Sequence, residues 1–198
     1  DTPGRDKAVK GTILQAYAGR GSIEGDPFIM MQPVTGIHDL AIWYPEQEAD
    51  NIQPYPPAIQ MGDPSVWGND YVTVDNIEFV NAYLGYKNNP NMGGCPIVRN
   101  IYGTPLKSGI RIDSLADVGR IENCDFSPLY WENSGLPGAP SDKDSHRSYI
   151  YENGIAYEMS RNDWSYGRWL TADRYGVGFY ALNSFCEGAW NGESRISN

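Results

Sequence analysis

The sequence predicts an all-β fold, specifically a right-handed parallel β-helix, a single-stranded solenoid. Helical periodicity is hard to find, whereas short β-rich runs recur between Gly, Pro, Asn and Asp. Asn76, Asn100 and Asn123 each lie inside such a run after a charged residue, at successive spacings of 24 and 23 residues. A period of about 20 to 30 residues made of strands and turns is typical of a solenoid, whose coils bury their apolar faces against one another.

Short strands bounded by turn-forming residues account for most of the chain. In order they are GTILQAYAG, PFIMM, IHDLAIWY, DYVTVDNIEFV, CPIVRNIY, SGIRIDS, VGRIENCDF and VGFYALNSF. The region 133–172 is predicted to be an insertion, with a short helix at 148–160 before the chain returns to strand. No shift in composition divides the chain, so we expect residues 1–198 to form a single domain with a sizeable core.

The three asparagines are expected to turn inward at a bend in each coil. There they would donate and accept hydrogen bonds along a stack of equivalent amides. Asp39 in IHDLAIW, 37 residues before Asn76, is predicted to hold the same place in an earlier coil. The alternative explanation is that Asn is common at turns.

The charge balance argues against a nucleic-acid partner. The chain has 15 Lys and Arg against 25 Asp and Glu, a formal net charge of −10, and phosphate binding depends on basic residues. No window approaches the roughly 18 apolar residues of a membrane span, so no membrane partner is expected. The first ten residues, DTPGRDKAVK, hold no apolar signal-peptide stretch, so we expect that any signal has already been removed.

The cysteines and histidines give no metal or disulfide pattern. Cys95, Cys124 and Cys186 are odd in number and contain no CxxC motif, so buried free thiols are predicted and no metal site. His38 and His146 are isolated, are expected at exposed loop positions, and are assigned no chemistry.

Outward residues of successive coils are expected to form a long shallow groove that suits a saccharide chain. If Ile110, Ile112 and Ile121 point inward, the polar residues between them point outward. These are Arg111, Asp113, Arg120 and Glu122, with Asp125 nearby. Asp113 and Glu122 are predicted as a catalytic acid/base pair, with Asp125 in reserve, because glycoside hydrolysis needs two carboxyls about 5 to 10 Å apart.

Two alternatives to this hydrolytic assignment remain. An eliminating lyase would instead use a base such as Arg111 or Arg120 near a Ca²⁺-bound uronate, and only then is a cofactor, Ca²⁺, expected. Each charged residue taken singly is also explained by a solvated outer face.

Aromatic side chains next to acids are candidate sugar-binding platforms. The chain has 14 Tyr and 6 Trp. Trp43 and Tyr44 lie beside Glu46 in IWYPEQ, and Tyr130 and Trp131 lie beside an acid in SPLYWEN. These residues, with Arg111 and Arg120, are predicted to bind substrate; the alternative is that the rings pack in the core.

Several stretches also resemble a known family. They are GDPFIMM, GIHDLAIWYPEQ, QPYPPAIQ, VTVDNIEFVNAYLG, IVRNIYGTPLKSGIRID and DVGRIENCDFSPLYW. They resemble the central coils of pectate-lyase-superfamily β-helix proteins, and more narrowly those described as glycosyl-hydrolase-28-related or pectate-lyase-like. The resemblance covers about 11–132 well and 175–190 weakly. It implies secretion and cleavage of polysaccharides by hydrolysis or β-elimination, and it supplies neither a substrate nor a catalytic motif.

The chain departs from that family at both ends. Members open with a capping-helix segment and continue for many more coils, whereas this sequence opens with DTPGRDKAVKGTILQ and stops at GAWNGESRISN. Uncapped solenoid ends invite pairing with another chain.

From the outward groove and the family resemblance, the expected function is that of a secreted β-helix that binds and cleaves a polysaccharide. The alternative is a structural or adhesive β-helix that associates through its ends with itself or with a companion chain.

Overall fold

The computed structural model describes residues 3–63, 65, 68–88 and 93–181. The fold is all-β, with mostly parallel strands in two sheets. The first sheet has the strand order β1-β3-β5-β8-β10-β12, with the short β7 beside β10. Its strands are β1 Thr12–Gln15, β3 Gly36–Trp43, β5 Thr73–Phe79, β7 Gly93–Gly94, β8 Ile97–Gly103, β10 Leu115–Phe126 and β12 Asn162–Ala172.

The second sheet has the order β13-β11-β9-β6-β4-β2. Its strands are β2 Ile29–Met31, β4 Pro57–Met61, β6 Leu84–Asn88, β9 Ser108–Ile112, β11 Ile155–Met159 and β13 Val177–Ala181. The chain alternates between the sheets, and each circuit adds a strand to both. Every pairing between named strands is parallel. The predicted parallel, all-β architecture is confirmed at this level.

Two helices lie between β10 and β11: α1 Leu129–Glu132 and α2 Lys143–Asn153. The helix predicted at 148–160 therefore begins and ends earlier. Its start is fixed by Asp142, whose side chain accepts a hydrogen bond of 3.1 Å from the Ser145 N–H. Its end is fixed by Ile155–Met159, which pairs with β9 as an ordinary strand.

The core lies between the sheets and is built of columns of equivalent residues. Ile42, Phe79 and Phe126 form one column on the first sheet, and all are fully buried. Gly103 takes the position between the two phenylalanines, with φ of 136°. A Cβ there would lie 2.0 Å from the Phe79 carbonyl oxygen, so no larger residue fits.

The asparagine period corresponds to a backbone feature. Asp39, Asn76, Asn100 and Asn123 have φ values of 60°, 52°, 55° and 52°, in the left-handed region that Asn and Asp tolerate best. The pairings on either side of each place them in register across β3, β5, β8 and β10. We call this set, with Trp169 of β12 (φ 54°), the left-handed column. The prediction that Asp39 belongs with the asparagines is confirmed.

The prediction that the asparagine side chains turn inward is wrong, because they face outward. The predicted hydrogen bonding between equivalent amides is confirmed only in part. Asn123 donates to the Asn100 amide oxygen at 2.7 Å, but Asn100 donates to Asp75 at 2.7 Å rather than to Asn76. The left-handed residue inserts one extra position between inward-facing residues. Val98 and Ile101, three apart, are therefore both buried, and Asn100 between them faces outward.

Candidate functional site

The outer face of the first sheet carries a column of charged side chains in register. Its members are His38, Asp75, Arg99, Glu122 and Arg168, one from each of five neighbouring strands. Arg99 pairs with Asp75 at 2.8 Å and Arg168 with Glu122 at 3.1 Å. Alternating charges in a cross-strand row stabilise the sheet and offer a saccharide both donors and acceptors.

Three exposed rings lie on β12 at one side of this face. Trp164, Tyr166 and Trp169, which we call the aromatic strip, are 62%, 51% and 67% exposed. The Trp164 indole N–H donates to the Tyr166 hydroxyl at 3.0 Å, and the Arg168 guanidinium lies 4.4 Å from the centre of a Trp169 ring. These contacts hold the rings in place on a paired strand while leaving them accessible to a ligand.

The predicted acid/base pair of Asp113 and Glu122 does not lie on one strand face. Asp113 follows β9 of the second sheet, is 5% exposed, and donates its backbone N–H to the Asn88 amide oxygen at 2.6 Å. Glu122 lies in β10 of the first sheet. Ser114, with φ of 53°, turns the chain between the two sheets, so the simple in-and-out alternation assumed from the sequence breaks there.

Asp125 is held as a carboxylate by several donors. It accepts from the Arg5 Nε at 2.8 Å and the Tyr130 hydroxyl at 2.7 Å, and also from Thr171. Burial alone would raise the pKa of this carboxyl, but the hydrogen bonds from Arg5, Thr171 and Tyr130 and the Arg5 charge lower it overall. A carboxyl stabilised in its ionised form is a poor proton donor, so this environment does not suit a general acid.

The four rings predicted as sugar platforms are buried. Trp43, Tyr44, Tyr130 and Trp131 are 8%, 1%, 2% and 0% exposed, so none presents a face to solvent, and we correct the prediction accordingly. Tyr44 packs edge-on against Tyr55, with ring centres 4.8 Å apart. The alternative explanation, that these rings pack in the core, is the one the structure supports, and Glu46 remains exposed beside them.

The predicted arginine pair is split between the sheets. Arg111 lies in β9 and pairs with Glu158 of the second sheet at 2.8 Å. Arg120 is exposed on β10, in register with Tyr166 of the aromatic strip. Only Arg120 is therefore in position to act with the strip.

The two histidines differ in their burial, and so do the two cysteines that the structure describes. His146 is fully buried in α2 with its ring 5.1 Å from that of Trp131, contrary to the expected loop position, and burial lowers its pKa to about 4. His38 is exposed, as predicted, but lies in β3. Cys124 is buried with a free thiol and Cys95 is partly buried, whereas Cys186 lies outside the described residues.

Sequence reasoning missed Glu78, which lines a recess on the outer face of the first sheet. Its side chain is 6% exposed, and burial raises its pKa to about 7. A signal was present: DNIEF at 75–79 and ENCDF at 122–126 match position by position, and the pairings place Glu78 and Asp125 in one outward column through Tyr102. Equivalent positions in a repeat share a face.

Comparison with known proteins gives no match: no family model, no curated protein and no solved structure is significantly similar to this chain. Among the described helices, none is both long and apolar enough to cross a bilayer. Residues 3–63, 65, 68–88 and 93–181 contain no group of three or more His, Cys, Asp or Glu placed to hold a metal ion. The fold thus defines an all-β protein of parallel strands. Its exposed rings and its column of charged side chains lie on the outer face of the first sheet.

Proposed function

We propose that the protein is a secreted, right-handed parallel β-helix that binds a polysaccharide along the outer face of its first sheet. The observation that carries the proposal is the aromatic strip, three exposed rings on one paired strand. Large exposed rings are costly to hydrate, and a cluster of them on a soluble surface marks a binding site.

The surroundings of the strip suit a sugar better than an apolar partner. Trp and Tyr rings stack on the C–H faces of sugar rings, because those faces are apolar and the aromatic faces are electron-rich. Arg120, Glu122 and Arg168 flank the rings on β10 and β12 and supply donors and acceptors for hydroxyl groups. An apolar protein partner would instead leave these charges desolvated at a cost.

Cleavage of the bound chain is part of the proposal, with Glu122 as its carboxyl. Of the three predicted catalytic acids, Glu122 is the one flanked by the aromatic strip and not enclosed by multiple donors; its partner is Arg168 at 3.1 Å. We expect Glu122→Gln to abolish release of new chain ends without abolishing binding. Reducing-sugar release indicates hydrolysis, and absorbance of an unsaturated product indicates elimination.

The test of binding is affinity electrophoresis against a polysaccharide panel, followed by titration of the best ligand. Trp164→Ala and Trp169→Ala should each weaken binding by roughly 1–2 kcal/mol, about 5- to 30-fold, the scale of burying one ring. Tyr151→Ala is the matched control, since Tyr151 is 66% exposed but belongs to α2 and not to the strand that carries the strip. Unchanged affinity in both tryptophan variants would overturn the proposal.

A second candidate function, end-to-end assembly, is favoured by one observation. In the described part of the chain β12 and β13 are the last strands of their sheets. Phe179 and Tyr180 of β13 are 49% and 47% exposed, so apolar surface lies beside strand edges that no other described strand covers. Such edges are templates for pairing with a further strand.

A further inference from the structure

A small recess lies on the same face as the aromatic strip, toward the other side of the first sheet. It has a volume of about 160 Å³, large enough for several water molecules or a small polar group. Its lining, which we call the carboxyl recess, consists of Pro3, Lys10, Gly11, Asp39, Leu40, Ala41, Asn76 and Glu78.

Glu78 is buried in this recess without a partner. It is 6% exposed, and among the described residues no hydrogen bond or ion pair to its carboxyl is present. Its neighbours Ile77 and Phe79 are fully buried in the core, so the backbone that carries Glu78 is fixed. The carboxyl lines the recess, and a ligand there that supplies N–H groups would give it the donors that the neighbouring described residues do not supply.

Asp39 adds a fixed negative charge to the same recess. It accepts from the Asn76 amide at 2.6 Å and lies 2.8 Å from the His38 ring, and these hydrogen bonds keep its pKa below the usual range. Among the described residues of the lining Lys10 is the one cation, and it is exposed. Asp39 is ionised, and a cation bound beside Glu78 would favour the ionised form of that carboxyl as well, so the recess favours a small cationic ligand with several donors.

The left-handed column joins the recess to the aromatic strip. Asp39 lies in register with Asn76, Asn100 and Asn123, and then with Trp169. The four steps between five strands, at about 4.8 Å each, give a separation of about 19 Å. An oligosaccharide of a few residues spans this distance and can contact both sites at once.

We propose that the carboxyl recess binds the protonated amino group of an amino sugar, so that the preferred polysaccharide contains free, unacetylated amines. This inference rests on the proposed function, since the same chain is held by the aromatic strip. A primary ammonium supplies three donors, enough to serve Glu78, Asp39 and the Asn76 amide oxygen together.

Calorimetry with two tetrasaccharides tests the inference: glucosamine tetramer and its fully N-acetylated counterpart, at low salt and at pH 7, where Glu78 is partly ionised before the ligand binds. We expect the free amine to bind at least tenfold more tightly, because hydrogen bonds between charged groups are stronger than neutral ones. Glu78→Gln and Asp39→Asn should each remove most of that preference, by weakening the binding of the free amine more than that of the N-acetylated tetramer. Glu152→Gln, an exposed carboxyl on α2, is the matched control and should keep the preference.

The outcomes separate the two proposals. Equal affinity for both tetrasaccharides, no binding of the free amine, or a preference that survives in Glu78→Gln and Asp39→Asn each overturns the amino-sugar inference. The polysaccharide panel and the tryptophan variants decide the proposed function independently, because neither relies on the charge of the recess.

Discussion

Glu78 and Asp125 occupy equivalent positions of the repeat, but the pKa values of their carboxyls shift in opposite directions. Both follow an inward residue and precede a phenylalanine in their strands, and both belong to one outward column. Asp125 is surrounded by donors that lower its pKa, whereas the described residues offer Glu78 no donor and burial raises its pKa to about 7. The difference comes from side chains distant in sequence, above all Arg5, 120 residues from Asp125.

Glu78→Gln is expected to change the pH dependence of stability. The pKa of Glu78 rises from 4.5 in the unfolded chain to about 7 in the folded one, so the folded state binds the extra proton between these values. Stability therefore falls as pH rises through this window, by roughly 3 kcal/mol in total. Glu78→Gln abolishes this fall. The free energy of unfolding of the variant, relative to that of the wild type, should therefore be higher at pH 8 than at pH 4.

Urea unfolding of both proteins at pH 4 and pH 8 measures this effect. Glu152→Gln, which removes an exposed carboxyl from α2, should follow the wild-type pH profile. If wild type and Glu78→Gln differ by the same free energy of unfolding at the two pH values, Glu78 does not carry the raised pKa.

At the scale of elements, the left-handed column decides which way each strand of the first sheet faces. The strands β3, β5, β8, β10 and β12 each carry one residue of this column, with positive φ, and the charged and amide side chains beside the bend face outward together. The charged column and the left-handed column thus occupy adjacent registers on one surface. This local geometry is what makes the outer face polar along its length.

Asn123 offers a direct test of that geometry. We expect Asn123→Gly to have a free energy of unfolding about 1 kcal/mol higher than Asn123→Ala, because Ala is strained at φ of 52° and Gly is not. Thr73 of β5, which is not among the positive-φ residues, should show the reverse order, with Ala above Gly. Chemical unfolding of the four variants measures these stabilities. The same order of Gly and Ala at both positions would contradict the prediction.

On the scale of the whole molecule, the N-terminal segment ties distant coils together. Arg5 bonds Asp125 of β10 and pairs with Asp173 at 3.3 Å, while its carbonyl accepts from Asn133 at 2.8 Å. The Val9 N–H donates to Ser134 at 3.0 Å. These contacts bring the segment beside the outer face of the first sheet, where Lys10 and Pro3 line the carboxyl recess.

The oligomeric state separates the proposed function from assembly. If the aromatic strip serves saccharides, light scattering after size exclusion should give the mass of one chain, independent of concentration. Trp164→Ala and Trp169→Ala should leave that mass unchanged. Growth of the mass with concentration, reversed by these substitutions, would favour assembly through the β12 and β13 edges.

The fold was predictable from the sequence to a useful depth, and the site much less so. The period of the asparagines identified equivalent positions, including Asp39, because repeat spacing reflects backbone geometry directly. The predicted platforms Trp43 and Trp131 failed because a ring beside an acid looks the same in a core and on a surface. The pairing of Asp113 with Glu122 failed because the chain turns at Ser114 from the second sheet to the first, so the two carboxyls lie on different sheets.

By itself the sequence determined the all-β class, the repeat and the positions of its bends, since these follow from residue type and spacing over a few residues. Only the tertiary structure decided which side chains meet water and which meet each other. Burial of Glu78, exposure of Trp169 and the pairing of Arg5 with Asp125 depend on contacts between segments far apart in the chain. No local pattern encodes such contacts, because they arise when the strands stack and the N-terminal segment packs beside them.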